Sequence, residues 1–67
     1  MDDLQDYLIE IEDLTNTEHE DHLDVATKML SHIRQESKHN FNLKHRYQYL
    51  LKEIYCHRLL LANKIAA

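Results

Sequence analysis

The sequence predicts an all-α fold: an antiparallel helical hairpin with a short additional N-terminal helix, the three helices covering approximately residues 3–14, 18–37 and 42–65. Three observations lead there. Gly and Pro are both absent from the 67 residues, which removes the usual chemistry of hairpin turns and strand corners. Apolar residues recur at three- and four-residue spacing in three blocks, the period of a helix with one buried face. Between the blocks lie short polar runs, Thr15 to Thr17 and Ser37 to Asn42, whose side chains compete for backbone hydrogen bonds.

In the first block Leu4, Tyr7, Leu8, Ile11 and Leu14 make one stripe, with Ile9 off it. Asp2 or Asp3 can cap its start, and Asp6 places negative charge near the positive end of the helix dipole. A helix of about three turns does not persist alone in water, so it must dock on something. The middle block opens with Thr17 and Glu20 at the S/T-x-x-E capping-box spacing and continues with Leu23, Ala26, Met29, Leu30 and Ile33. Lys28, Arg34 and Lys38 suit its C-terminal part. In the turn, Asn40 is a left-handed cap or the start of the next helix, Asn42 is an alternative start, and Phe41 is expected to pack underneath. A connection this short makes the two longer helices antiparallel neighbours.

The last block has more apolar surface than a hairpin needs. Leu43, Tyr47, Leu50, Ile54, Leu61 and Ile65 fall on one stripe, and Leu51, Tyr55, Leu59 and Ala62 on a second beside it. Arg58 lies between them, able to lay its methylenes on apolar ground while its guanidinium stays wet. Tyr49, Cys56 and Leu60 look out from the far side. At roughly 35 Å this helix is long enough that the other residues leave part of it bare, and the surplus suggests a surface kept for a partner. The competing expectation is that the first two helices together cover both stripes.

Composition bounds the rest. The chain allows one domain, residues 1–67, which hides only about 60% of its unfolded surface. One cysteine cannot form an internal disulfide, which fits a reducing compartment. The N-terminus does not read as a basic region followed by an apolar run, and no apolar run approaches the roughly 20 residues of a membrane span, so no secretion signal and no membrane insertion are expected. The formal charge of −4 divides unevenly: residues 1–24 hold ten acids and no Lys or Arg, whereas residues 25–67 hold eight bases and two acids. Such polarity favours an acidic segment folding over a basic one, or oppositely charged partner surfaces, against the plainer reading of two solvated faces.

Sites of chemistry are weakly signalled. His19 and His22 stand three apart on a helix start among acids, a spacing that can share a metal, but it is not H-E-x-x-H and no cysteine cluster completes it. No metal and no cofactor are expected. Cys56 and His57 are adjacent, hence about 100° apart on a helix, and cannot form a local dyad; no enzyme is expected. Lys44, His45, Arg46, Lys52 and Arg58 are interleaved with Tyr47, Tyr49 and Tyr55, yet they scatter around the axis of an acidic protein, which argues against nucleic acid.

In size, in the acidic opening helix with its Leu-x-x-Leu-like pattern from Leu4 to Asp13, in the amphipathic middle helix and polar turn, and in a last helix running from Tyr47-Gln48 into Leu, Ile and Tyr, the chain resembles the YscE-type small co-chaperones of bacterial type III secretion systems. The likeness covers nearly the full length, although the turn lacks a glycine and the histidine content is unusual for that family. It implies a cytoplasmic bacterial protein that pairs with a tetratricopeptide-like chaperone and, through it, keeps a needle subunit soluble and monomeric. Masking of that kind answers the tendency of heterologous contacts to propagate. Carried over by position, the partner contacts are Leu4, Tyr7, Leu8, Ile11, Tyr47, Leu50, Leu51, Ile54, Tyr55 and Leu59. The alternative expectation is a small regulatory or adaptor module that homodimerises through its last helix and touches nucleic acid.

Overall fold

The computed structural model describes residues 3–66, and for residues 65 and 66 the backbone only. The expected cap on Asp2 therefore lies outside the described residues, and so does the side chain of Ile65. Four helices follow one another: α1 (Asp3–Asn16), α2 (Glu20–His32), α3 (Arg34–Ser37) and α4 (Phe41–Ala66). The fold is all-α, with no strand among the described residues.

α1 runs two residues past its expected end. Thr15, read as an interruption, is buried, and its hydroxyl donates to the Ile11 carbonyl at 2.7 Å, so the polar group is satisfied inside the helix. The capping box does not form. Thr17 closes α1, its amide and hydroxyl both donating to the Leu14 carbonyl, and Glu18 turns the chain with φ of 55°. The residue that caps α2 is His19, whose extended backbone lets Nδ1 accept from the Asp21 amide at 3.3 Å.

The middle segment is also broken where one helix over 18–37 was expected. Ile33 sits at φ −101° and ψ 6°, its amide reaching back to Leu30 at 3.2 Å before α3 begins. The side chain stays in the core through the break, which is why apolar spacing reads straight across it. At the next turn Asn40 is the helix start, not a left-handed cap: Oδ1 accepts from the Leu43 amide at 3.2 Å and the carbonyl from Lys44 at 2.8 Å. Phe41 is therefore the first residue of α4, and it is 74% exposed, its ring edge-on to His45, instead of packed under the turn.

Side-chain pairs fix how the helices run. Tyr7, early in α1, donates to the Met29 carbonyl late in α2 at 2.8 Å, so these two helices are antiparallel. Arg58 reaches Asp24 at 2.9 Å and Thr27 at 3.1 Å, setting α2 antiparallel to α4. Glu12 faces Arg46 and Glu18 faces Lys64, which runs α1 parallel to α4. At 14 residues, α1 is no shorter than α2 with 13.

The core lies where the three longer helices meet. Leu8 and Ile11 of α1, Ala26 and Leu30 of α2, Ile33, and Leu43, Leu50 and Ile54 of α4 form one cluster, with Leu4, Tyr7, Leu14, Met29 and Tyr47 packed around it. Each large aliphatic side chain so enclosed contributes about 1.5–3 kcal/mol relative to exposure. The body measures 42 × 20 × 14 Å, and its radius of gyration of 12.5 Å exceeds the roughly 11 Å of a compact chain this long. Much of α4 is left at the surface as a result.

Candidate functional site

The 26 residues of α4 divide by angle into three sectors. Leu43, Leu50 and Ile54 point into the core, with Tyr47 and Leu61 at its edge. The sector toward α1 carries Arg46, Glu53, His57 and Lys64, and it is laced with ionic contacts. Arg46 lies 3.9 Å from Glu12, and Lys64 lies 3.3 Å from Glu18. The His57 ring sits between Glu18 at 3.9 Å and Glu53 at 3.7 Å, and its Nδ1 is buried without a hydrogen-bond partner. Tyr49 joins this sector by donating to Glu53, a bond that, with the charge of that carboxylate, raises the phenol pKa above its ordinary value.

The sector toward α2 and α3 is different. Leu51 and Leu59 are about half exposed and Tyr55 more so, at 45%, 52% and 65%. Leu51 and Tyr55 belong to a shallow groove lined also by Thr27, Gln48 and Ile54, with Lys52 and Arg58 along its edge, and Leu59 lies outside its lining. The groove continues past Gln48 and Leu51 to Arg34, Lys38 and Lys44. No acid lines these two adjoining depressions; Glu20 appears only beyond Arg58, beside Leu61 and Ala62. A row of large apolar side chains rimmed by polar ones is the make-up that docking surfaces share.

The ten residues expected to contact a partner thus separate. Leu8, Ile11, Leu50 and Ile54 are at most 3% exposed and are corrected to core, because α1 and α2 close over the first stripe of α4. Leu4, Tyr7 and Tyr47 are partly buried against that core. Leu51, Tyr55 and Leu59, all on the second stripe, remain available. Sequence reasoning did not place Thr27 and Gln48 on the floor or Arg34, Lys38 and Lys44 on one rim. Their helical angles on α2, α3 and α4 were the usable signal, once the break at Ile33 is known.

The histidine pair is held by local bonds. The rings of His19 and His22 lie 4.8 Å apart, His19 Nδ1 accepts from the Asp21 amide, and His22 Nδ1 is 2.9 Å from the Thr17 hydroxyl oxygen. Since the Thr17 proton is directed at Leu14, His22 Nδ1 is the donor in that contact. Among the described residues no group of three His, Cys, Asp or Glu side chains is placed to hold a metal ion. Cys56 is a free, exposed thiol, and among the described residues no helix is long and apolar enough to cross a membrane.

No protein-family model, curated protein or solved structure matches the chain.

Proposed function

We propose that this chain is a non-enzymatic helix-docking co-chaperone whose contact surface is the open flank of α4. The observation that carries the reading is the row Leu51, Tyr55 and Leu59, large side chains left in water on one face of a protein that has otherwise closed its core. The unit offered is the helical hairpin of α2 and α4, with α1 laid along it and sealed by ionic contacts. Taken with the resemblance of the sequence, the partner is a tetratricopeptide-like chaperone, and the role is to stabilise that chaperone in the bacterial cytoplasm while it holds a type III needle subunit.

The test is co-expression with such a chaperone encoded beside it. A stable heteromer that is lost in Leu51→Asp/Leu59→Asp, while the variant alone keeps its helical circular dichroism, supports the reading. A stable homodimer by light scattering, indifferent to any helical-repeat chaperone, would overturn it in favour of a self-associating adaptor.

A further inference from the structure

Resting on that reading, we infer that the partner segment seated in the groove is an acidic amphipathic helix of a different polypeptide. Among the described residues Arg46, Arg58 and Lys64 are matched to acids of the same chain, whereas Arg34, Lys38, Lys44 and Lys52 enter no ion pair, nor does Lys28, which lies outside the groove. The other four unmatched cations lie on the rims of the two adjoining depressions, around a floor of Leu51, Ile54 and Tyr55. A guest helix with aliphatic residues at i, i+3, i+4 and i+7 covers that floor, and Asp or Glu along its flank meets the rim. A basic guest would bring like charges together in a site whose water it expels.

A second copy of this chain is a poorer guest. Its most acidic surface, the outer face of α1, offers a single large exposed apolar residue, Ile9, to a groove that needs several. Pairing α4 with α4 across Leu51 and Tyr55 sets Lys52 of each copy toward the other. Of the acids of the first half, Glu12 and Glu18 are held on the α1 side of α4 by Arg46 and Lys64; Asp24 neutralises Arg58 at one end of the groove and leaves the other rim cations unmatched.

Two fluorescein-labelled model peptides of roughly 18 residues separate the cases. Both carry Leu at i, i+3, i+4 and i+7; one has Glu on its flanks and the other Lys. Titrated with the full chain and read by anisotropy, the Glu peptide binds at least about tenfold more tightly, weakens as salt rises, and perturbs the amide signals of Gln48, Leu51 and Tyr55. In Lys44→Glu/Lys52→Glu, both exposed positions, the preference inverts while the circular dichroism is retained. Equal binding of the two peptides, or perturbation centred on α1, would overturn the proposal, as would a wild-type chain that light scattering shows to be dimeric through this face. With the chaperone itself, loss of binding in Leu51→Asp/Leu59→Asp but not in Lys44→Glu/Lys52→Glu sinks the acidic guest and leaves the docking reading standing; indifference to both sinks the two together.

Discussion

Tyr7 shows how much one hydroxyl fixes. Its ring packs beside the core, its hydroxyl ties α1 to the end of α2 through the Met29 carbonyl, and burial together with the nearby Glu10 and Glu36 carboxylates raises its pKa. A proton held more tightly in the folded state gives stability that is complete below the unfolded phenol pKa and is lost as pH climbs through the higher folded value. Tyr7→Phe should therefore cost about 1 kcal/mol at neutral pH and soften the alkaline loss, both read by urea denaturation across pH. Glu18 poses the opposite case. Held in the left-handed region at φ 55°, it bears a cost of roughly 1 kcal/mol that glycine does not, against an exposed contact with Lys64 and a longer approach, at 3.9 Å, to the partly buried His57 ring. Glu18→Gly should raise the melting temperature; a fall would mean that its contacts with Lys64 and His57 outweigh the backbone term.

Among the elements, α4 carries both core positions and the exposed stripe. Ile54 and Leu51 are three residues apart, yet one is 3% and the other 45% exposed, so substitutions there should part company. Ile54→Ala should cost about 2–5 kcal/mol, whereas Leu51→Ala should stay within roughly 1 kcal/mol in the isolated chain and act on partner affinity instead. Similar losses at both positions in thermal unfolding would mean that the second stripe is core after all. Asn40→Ala removes the acceptor for the Leu43 amide and should cost about 1 kcal/mol, with fraying of the first turn of α4 seen by amide exchange. Three-residue and four-residue spacing made all three long helices legible in the sequence, and polar runs placed the turns between them. The failures were local. A histidine took over the cap where Thr17 and Glu20 had the better spacing, and the break at Ile33 carries no Gly or Pro and keeps its apolar side chain in register. Which stripe was core could not be read from spacing, since both have the same period and only the positions of α1 and α2 distinguish them.

At the scale of the molecule, the uneven charge of the sequence has become an arrangement. Glu12, Glu18 and Asp24 reach across to Arg46, Lys64 and Arg58, all at exposed positions, so raising ionic strength should shift the unfolding free energy by less than about 1 kcal/mol per pair. A much steeper dependence, read from denaturant midpoints between low and high salt, would mean that these contacts, and not the core, hold the helices together. Most helices here lie against the one that follows them in the chain, and the turns joining them are only a few residues long. Loops so short close quickly, and bundles assembled from nearby segments reach their final form within microseconds to milliseconds. A newly released chain is thus finished long before an encounter by diffusion at cellular concentrations, and α4 is a preformed surface, so the rate of any association there is set by collision and charge and not by waiting for this protein to fold.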